Sequence, residues 1–528
     1  MTKPIKRREL GTLAAGATLA ATMRPAAAAT KVLRYVRNGN LTILDPIQTT
    51  AYVTRDHGYM IYDTLLAIDE NNVVKPQMLA KYEVSADKML WTFTLRDGLE
   101  WHDGKPVTSA DCVPSVNRWM ARDPMGQKLK DFVAELKAVD DKTFTLKLKE
   151  PYGLVLDSLG KPSSNTPFMM PKAVAETDPF KQIDSTVGSG PFIYVNAESK
   201  PGEKHVYIKN PKYKPRPEPA SGLAGGKVVK VDRVEWRAIS DQQQAVNALL
   251  AGEIDFIEQP SHDLHPLLKA DANIKMWTLN PLGSLYFFRP NHLNKPFDDP
   301  KIRSALWYAL NQEDFLRAAI GDSEHYKVCR SQFICGTRLE SAAGMDGLLT
   351  SNFEKARAVL KDAGYDGTPI VLMHSTDLHV LANVAPVAKQ LMEKAGFKVD
   401  MQSMDMQTLV ARRAKRDAID KGGWHAFITS PTSLDGLDPI TASTFNAGCE
   451  KGWPGWPCDA EMEMLRDKYA RETDPAKQKT LADAIQVRSI EITSHINLGQ
   501  FLIVSAARKN VTGFIAAGPT VFWNVEKK

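Results

Sequence analysis

Two stretches of the chain alternate strictly between apolar and polar positions. Trp91, Phe93 and Leu95 are interleaved with Thr92, Thr94 and Arg96, and Phe144, Leu146 and Leu148 with Thr145, Lys147 and Lys149. A period of two predicts half-buried antiparallel strands. Between them the spacing predicts a helix at about 110–121. Upstream, residues 31–37 read as an opening strand, Leu44-Asp45-Pro46 as a turn and 55–66 as a helix. Gly188-Ser189-Gly190-Pro191 opens a further strand at 192–195. The stretch 211–226 is loaded with Pro, Gly and Lys and reads as a loop. A strand at 231–237 follows. Asp241 with Gln244 then forms a capping box for a helix whose apolar face is Val246, Leu249 and Leu250. Gly252 ends that helix, and Ile254, Phe256 and Ile257 continue as a strand, completing a β-α-β unit.

From about Pro281 the pattern changes to alternating α and β. Asp299-Pro300 begins a helix striped by Ile302, Ala305, Leu306, Ala309 and Leu310. Ser351 with Glu354 reads as a second capping box. A strand at 370–373 precedes a helix bearing Val384, Val387, Ala388, Leu391 and Met392; Gly396 stops it, and Phe397, Val399 and Met401 resume as a strand. This is half of a doubly wound domain. A helix behind Asp474-Pro475 leads to an apolar run at 501–507, predicted to be one central strand. No repeat of 20–50 residues interrupts the pattern.

With 528 residues, 43% apolar and 24% charged, the chain has the composition of a multi-domain globular protein. Its net charge of +5 is concentrated at the start, where residues 1–29 hold five cations and one anion. The remaining 62 cations nearly balance 61 anions, which gives no basis for a nucleic-acid partner. Lys6-Arg7-Arg8, an uncharged Ala/Gly/Leu stretch and Ala27-Ala28-Ala29 follow the order of a secretory signal cleaved near Ala29. The paired arginines point to twin-arginine export, with the general secretory route as the alternative. Export to an oxidising compartment makes local disulfides the simplest pairing of Cys329 with Cys335 and of Cys449 with Cys458; Cys112 reads as a buried thiol on a helix.

Signatures of catalysis are missing. The chain contains no HExxH, GxSxG, P-loop or CxxC. Trp101-His102-Asp103-Gly104 reads as a turn. His262 and His265 lie three apart but are crowded by Pro260 and Pro266, so neither a metal nor a cofactor is expected.

Specific segments carry a resemblance. Lys75-Pro76-Gln77-Met78-Leu79-Ala80, the run Trp91 to Gly98, Trp101 to Asp111, Gly188 to Phe192 and Pro296-Phe297-Asp298-Asp299 follow one another in order. Ala395-Gly396-Phe397-Lys398-Val399 completes the set. In these the chain resembles family 5 extracellular solute-binding proteins, the dipeptide/oligopeptide receptors of ABC importers. The resemblance implies an α/β, two-lobed periplasmic binding protein type II fold (cluster C) with an extra β-rich domain. It implies lobe I from residues 30–55, 186–280 and 498–528, the β-rich domain from 56–185 and lobe II from 281–497. A monomeric, non-enzymatic periplasmic receptor is expected, which closes on a peptide or peptide-like amine and passes it to ABC permease subunits. An opine, a metal chelate or an oligosaccharide is the alternative cargo.

The resemblance also implies site residues. Similar receptors grip the ligand ammonium with an aspartate just before an Asp-Pro pair, and in Ser433-Leu434-Asp435-Gly436-Leu437-Asp438-Pro439 that position is Asp435. Asp435 and Asp438 also read as plain turn residues. Trp424 and Phe445 are expected to wall the pocket or to pack in the core. Dipeptide receptors place an arginine between the strand and helix of 370–384, where this chain has His374, Asp377 and His379 instead. Arg289 is the expected substitute, with a surface ion pair as its other reading.

Overall fold

The computed structural model describes Met1 and residues 30–528; the export segment read from the sequence lies outside the described residues. Three sheets organise the chain. The first has seven strands in the order Ile274–Thr278, Val504–Arg508, Phe256–Ile257, Val32–Val36, Arg233–Arg237, Lys204–Lys209 and Phe192–Tyr194. Val32–Val36 runs parallel to both its neighbours, and the helix Gln242–Ala251 makes the crossover between them. The Asp241 side chain accepts from the Gln244 amide to start this helix, and Gly252 ends it in the left-handed region at φ 79°.

The second sheet has six strands in the order Tyr326–Lys327, Ile496–Phe501, Ser284–Pro290, Ala426–Thr429, Ile370–Ser375 and Val399–Met404. Its last two strands pair in parallel around the helix Val384–Lys394, as their sequence pattern requires. The third sheet is antiparallel, in the order Leu79–Val84, Leu90–Leu95, Thr143–Leu148 and Val133–Ala138. It carries Trp91, Phe93, Phe144 and Leu146 on its buried face, against the helix Ser109–Arg122.

Three local expectations change. The helix expected at 55–66 spans Tyr52–Ile61, which puts Tyr52 at its first turn. The helix Phe353–Asp362 is capped by Asn352, which accepts from the Lys355 amide, and not by Ser351. The apolar run at 501–507 is not one strand. It is split between Ile496–Phe501 of the second sheet and Val504–Arg508 of the first, because Leu502 and Ile503 pass from one body to the other. Apolar character alone cannot separate a buried strand from a buried crossing.

A second crossing, residues 279–283, joins Ile274–Thr278 to Ser284–Pro290, so two pieces of chain connect the α/β bodies here. The Leu282 carbonyl accepts from Gln500 Nε2 at 2.7 Å and from Ser433 Oγ at 2.6 Å. Gly283 adopts φ +66°, and a β-carbon there would run into the Phe501 carbonyl of the other crossing. Both predicted disulfides are present, and Cys112 is a free, buried thiol. Gln500 exchanges side-chain hydrogen bonds with the backbone of Cys335, which ties the first disulfide loop to the crossing.

Candidate functional site

The two α/β bodies meet around one carboxylate. The chain leaves strand Ala426–Thr429 and turns through the short 3-10 segment Ser433–Gly436, which carries Asp435. Asp438 is committed to this turn, because its carboxylate accepts from the amides of Ile440 and Thr441 and from the Thr441 hydroxyl. Asp435 is not. Its carboxylate accepts no backbone amide; Oδ2 accepts from the Tyr52 hydroxyl of the opposite body at 2.8 Å, and Oδ1 is buried without a partner. The Tyr52 oxygen in turn accepts from the Thr432 amide at 2.9 Å. Burial and the Asp435 charge hold the Tyr52 phenol well above its usual range, so it stays a donor.

The turn is kept close to its support by Gly436, where a β-carbon would sit 2.9 Å from Ile334 Cδ1 in the first disulfide loop. On the side of the first body, the Arg55 guanidinium lies 4.8 Å over the Tyr52 ring. Arg55 is paired with Asp56 at 2.8 Å and donates to Ser163.

A second charged group lies on the second body. Arg413, at the end of helix Met406–Arg413, stacks 5.3 Å over Phe427 and 5.1 Å over Trp453. Arg413 has no hydrogen-bond acceptor and no ion-pair partner among the described residues. Burial lowers Arg413 to about 10, and the Tyr52 phenol works against this. A guanidinium stacked on two rings keeps its in-plane donors free for a planar anion. Trp453 is half-buried and is carried by the second disulfide loop, whose Trp456 packs on Trp424.

The other sequence-predicted residues lie elsewhere, for identifiable reasons. Arg289 is fully buried and makes no surface ion pair. It donates to the carbonyls of Pro454, Thr444, Ser494 and Trp453, and so anchors the second disulfide loop from beneath. Burial brings it down to about 9. Trp424 is sealed in the core with Phe427 and Trp456, a layer below the gap. Phe445 stacks on Phe333 at 4.7 Å inside the core. His374 spends both ring nitrogens, on Ser403 Oγ and the Ala382 carbonyl. His379 is on the opposite face of the second sheet from Arg413. Residue typing missed Tyr52 and Arg413. Tyr52 opens a helix whose pattern in the sequence begins only at Arg55, and Arg413 belongs to a basic stretch, Arg412 to Arg416, that carries no periodic signal.

A surface hollow of about 550 Å³ lies elsewhere, between helices Ser109–Arg122 and Lys172–Ala175, with Arg118, Lys172 and Glu176 in its lining.

Three comparisons bear on this geometry. The sequence profile of bacterial extracellular solute-binding proteins, family 5 Middle, matches residues 73–452. The chain is 38% identical, over 99% of both sequences, to the probable peptide ABC transporter periplasmic-binding protein y4tO of Sinorhizobium fredii. It is 26% identical, over 94% of each, to the glutathione-binding protein GsiB of Escherichia coli K12. Among solved structures, the protein AgaA of A. tumefaciens R10 in complex with agropinic acid superposes with a TM-score of 0.78 at 22% identity. That match covers 94% of this chain and 99% of AgaA. The dipeptide-binding protein of Pseudoalteromonas sp. SM9913 in complex with Met-Leu superposes with a TM-score of 0.77 at 18% identity, over 94% of this chain and all of that one. At these identities the structures speak to the fold alone: a two-lobed, type II periplasmic binding fold.

Proposed function

This chain belongs to the family 5 bacterial extracellular solute-binding proteins, and from that premise we propose that it captures a peptide or peptide-like amine between its two α/β bodies for an ABC importer. The observation that carries the reading is the half-satisfied carboxylate of Asp435. One oxygen is held by Tyr52 of the opposite body, and the other is buried with no donor. A primary ammonium supplies the missing donors and a compensating charge in one group. In a gap closed to water such a bond is charge-assisted and worth more than on an open surface. Arg413, stacked but without an acceptor, provides the complementary end for a carboxylate. The ligand class supported best is therefore zwitterionic, with its ammonium on Asp435 and its carboxylate on Arg413.

The receptor passes its solute unaltered to permease subunits, as a monomer in the periplasm. No described helix is long and apolar enough to cross a membrane. An opine-like acid is the second reading, favoured by the free guanidinium of Arg413 and the half-buried Trp453 beside it.

Calorimetry with a free dipeptide such as Met-Leu, its N-acetyl form and its C-terminal amide tests the assignment. Acetylation is expected to remove most of the affinity through Asp435, and amidation through Arg413. Equal binding of all three forms would overturn the zwitterion reading. Native mass spectrometry of the freshly purified protein identifies any solute that is carried through.

A further inference from the structure

The α/β bodies also touch at a second place, on the far side of the second sheet from Asp435 and Arg413. Adjacent residues of strand Ile370–Ser375 separate the two sides: Met373 packs with Trp424 and Phe427, whereas Leu372 packs with Leu381, next to His379. Four imidazoles gather on this second side. His262 and His265 come from the first body, at the start of helix His265–Ala270. His325 comes from the second body, just before Tyr326–Lys327, and His379 from the short helix His379–Ala382. The rings of His262 and His265 are 4.7 Å apart, and that of His325 lies 6.1 and 5.7 Å from them. The Nε2 atoms of all four are buried with no hydrogen-bond partner. A set of orphaned ring nitrogens is costly to hold against water. Two of these ring contacts, His262–His325 and His265–His325, cross between the bodies, and His262–His265 lies within the first.

We propose that this histidine seam is an acid-released latch: protonating His262 and His265 drives the two α/β bodies apart. Each added proton places a cation beside other imidazoles in a partly dehydrated contact, and separation returns the rings to water. Burial and the neighbouring rings hold His262 and His265 down at about 4, and burial also lowers His379. Rings exposed by opening return toward about 6.5. The open form therefore binds more protons, and closure is lost as pH falls from about 6.5 toward 4.

The charged groups facing the seam are Asp263, Lys269 and Asp322. Lys269 and Asp322 approach to 3.6 Å across the two bodies, and Asp322 lies 3.8 Å from His325 Nε2. Lys269 adds to the repulsion on His265, whereas Asp322 relieves part of it, and Asp263 does the same for His379. Glu324 is exposed, and Asp377 is committed to Ser375 and the Met406 amide. The seam's donors do not converge as a metal-holding group of three or more among the described residues, so the proton is the titrant argued for.

Small-angle scattering of the purified full chain from pH 7.5 to 4.5, with far-UV circular dichroism on the same samples, tests this. The expected result is a rise in radius of gyration between pH 6.5 and 4.5 with secondary structure intact. The open-to-closed ratio should grow by about 40-fold over that range for one shifted imidazole and by about 1,000-fold for two. The His262→Gln/His265→Gln double variant is expected to lose the transition. His325→Gln, from the other body, is expected to weaken it and provides an independent check should the double variant fail to fold. A molecule already open at pH 7.5, an unchanged radius in folded protein at pH 4.5, or the same transition in the folded variants would each overturn the latch. So would stoichiometric NiCl2 or ZnCl2 binding that requires these histidines and locks the bodies closed, which would make the seam a metal site.

Discussion

Tyr52 and Asp435, 383 positions apart in sequence, meet at 2.8 Å across the gap between the two α/β bodies. The phenol oxygen also receives the Thr432 amide, so one side chain of the first body fastens both the carboxylate and the backbone of a turn in the second. This contact bridges the two bodies, and it leaves the other carboxylate oxygen of Asp435 buried without a donor.

Truncating Asp435 removes the acceptor and leaves a ligand ammonium buried and unpaired. Asp435→Ala is expected to weaken an amine-bearing ligand by about 2–5 kcal/mol, the range for one partner of a buried charge pair. Tyr52→Phe should cost less, about 1–2 kcal/mol, since it removes one hydrogen bond to a charged group. Calorimetry on the two single variants and the double variant would reveal their coupling; strictly additive losses would mean that Tyr52 does not prepare Asp435 for its ligand.

Arg413 has two effects that separate by method. Arg413→Met should remove discrimination between a carboxylate ligand and its amide, again by about 2–5 kcal/mol. Thermal stability should stay level or rise, because a desolvated guanidinium without an acceptor does not stabilise the folded chain. A large fall in melting temperature with unchanged discrimination would assign Arg413 to packing alone.

Much of this arrangement is legible in the residues. The β-α-β units around Gln242–Ala251 and Val384–Lys394 announce themselves through apolar stripes and terminal glycines, and the first also through its Asp241 cap, because those signals are local. Asp435 is legible through its place before Asp438-Pro439. Arg413 and Tyr52 are not, since their significance depends on two distant bodies closing on each other. Arg289 misleads for a related reason: its four carbonyl acceptors lie 155 to 205 positions away, and nothing near Arg289 in sequence hints at them.

The second disulfide holds Trp453, and through it the Arg413 stack. Replacing Cys449 and Cys458 together by serine should cost about 2–3 kcal/mol of stability, as for a short closed loop. Carboxylate ligands should lose affinity while the Asp435-dependent preference for a free amine persists. Chemical denaturation paired with calorimetry would show both; intact carboxylate affinity would detach the loop from the site.

Stability should also fall in acid. His57 is fully buried and bonded to the Tyr207 hydroxyl, and burial lowers it to about 3; His102 and His205 are lowered to about 4. Each depressed histidine contributes stability that is complete above its unfolded value near 6.5 and is lost as pH falls toward the folded value. The limiting slope is about 1.4 kcal/mol per pH unit for each group. Urea midpoints at pH 7.5 and pH 5 would show the decline, and equal midpoints would exclude it.

The Leu282 carbonyl accepts from Gln500 and from Ser433, and Ser433 is two residues from Asp435. A solute tugging on the Asp435 turn therefore tugs on the pivot itself. The turn that carries Asp435 and the crossing that joins the bodies are thus held by the same carbonyl, and a displacement of one is passed to the other.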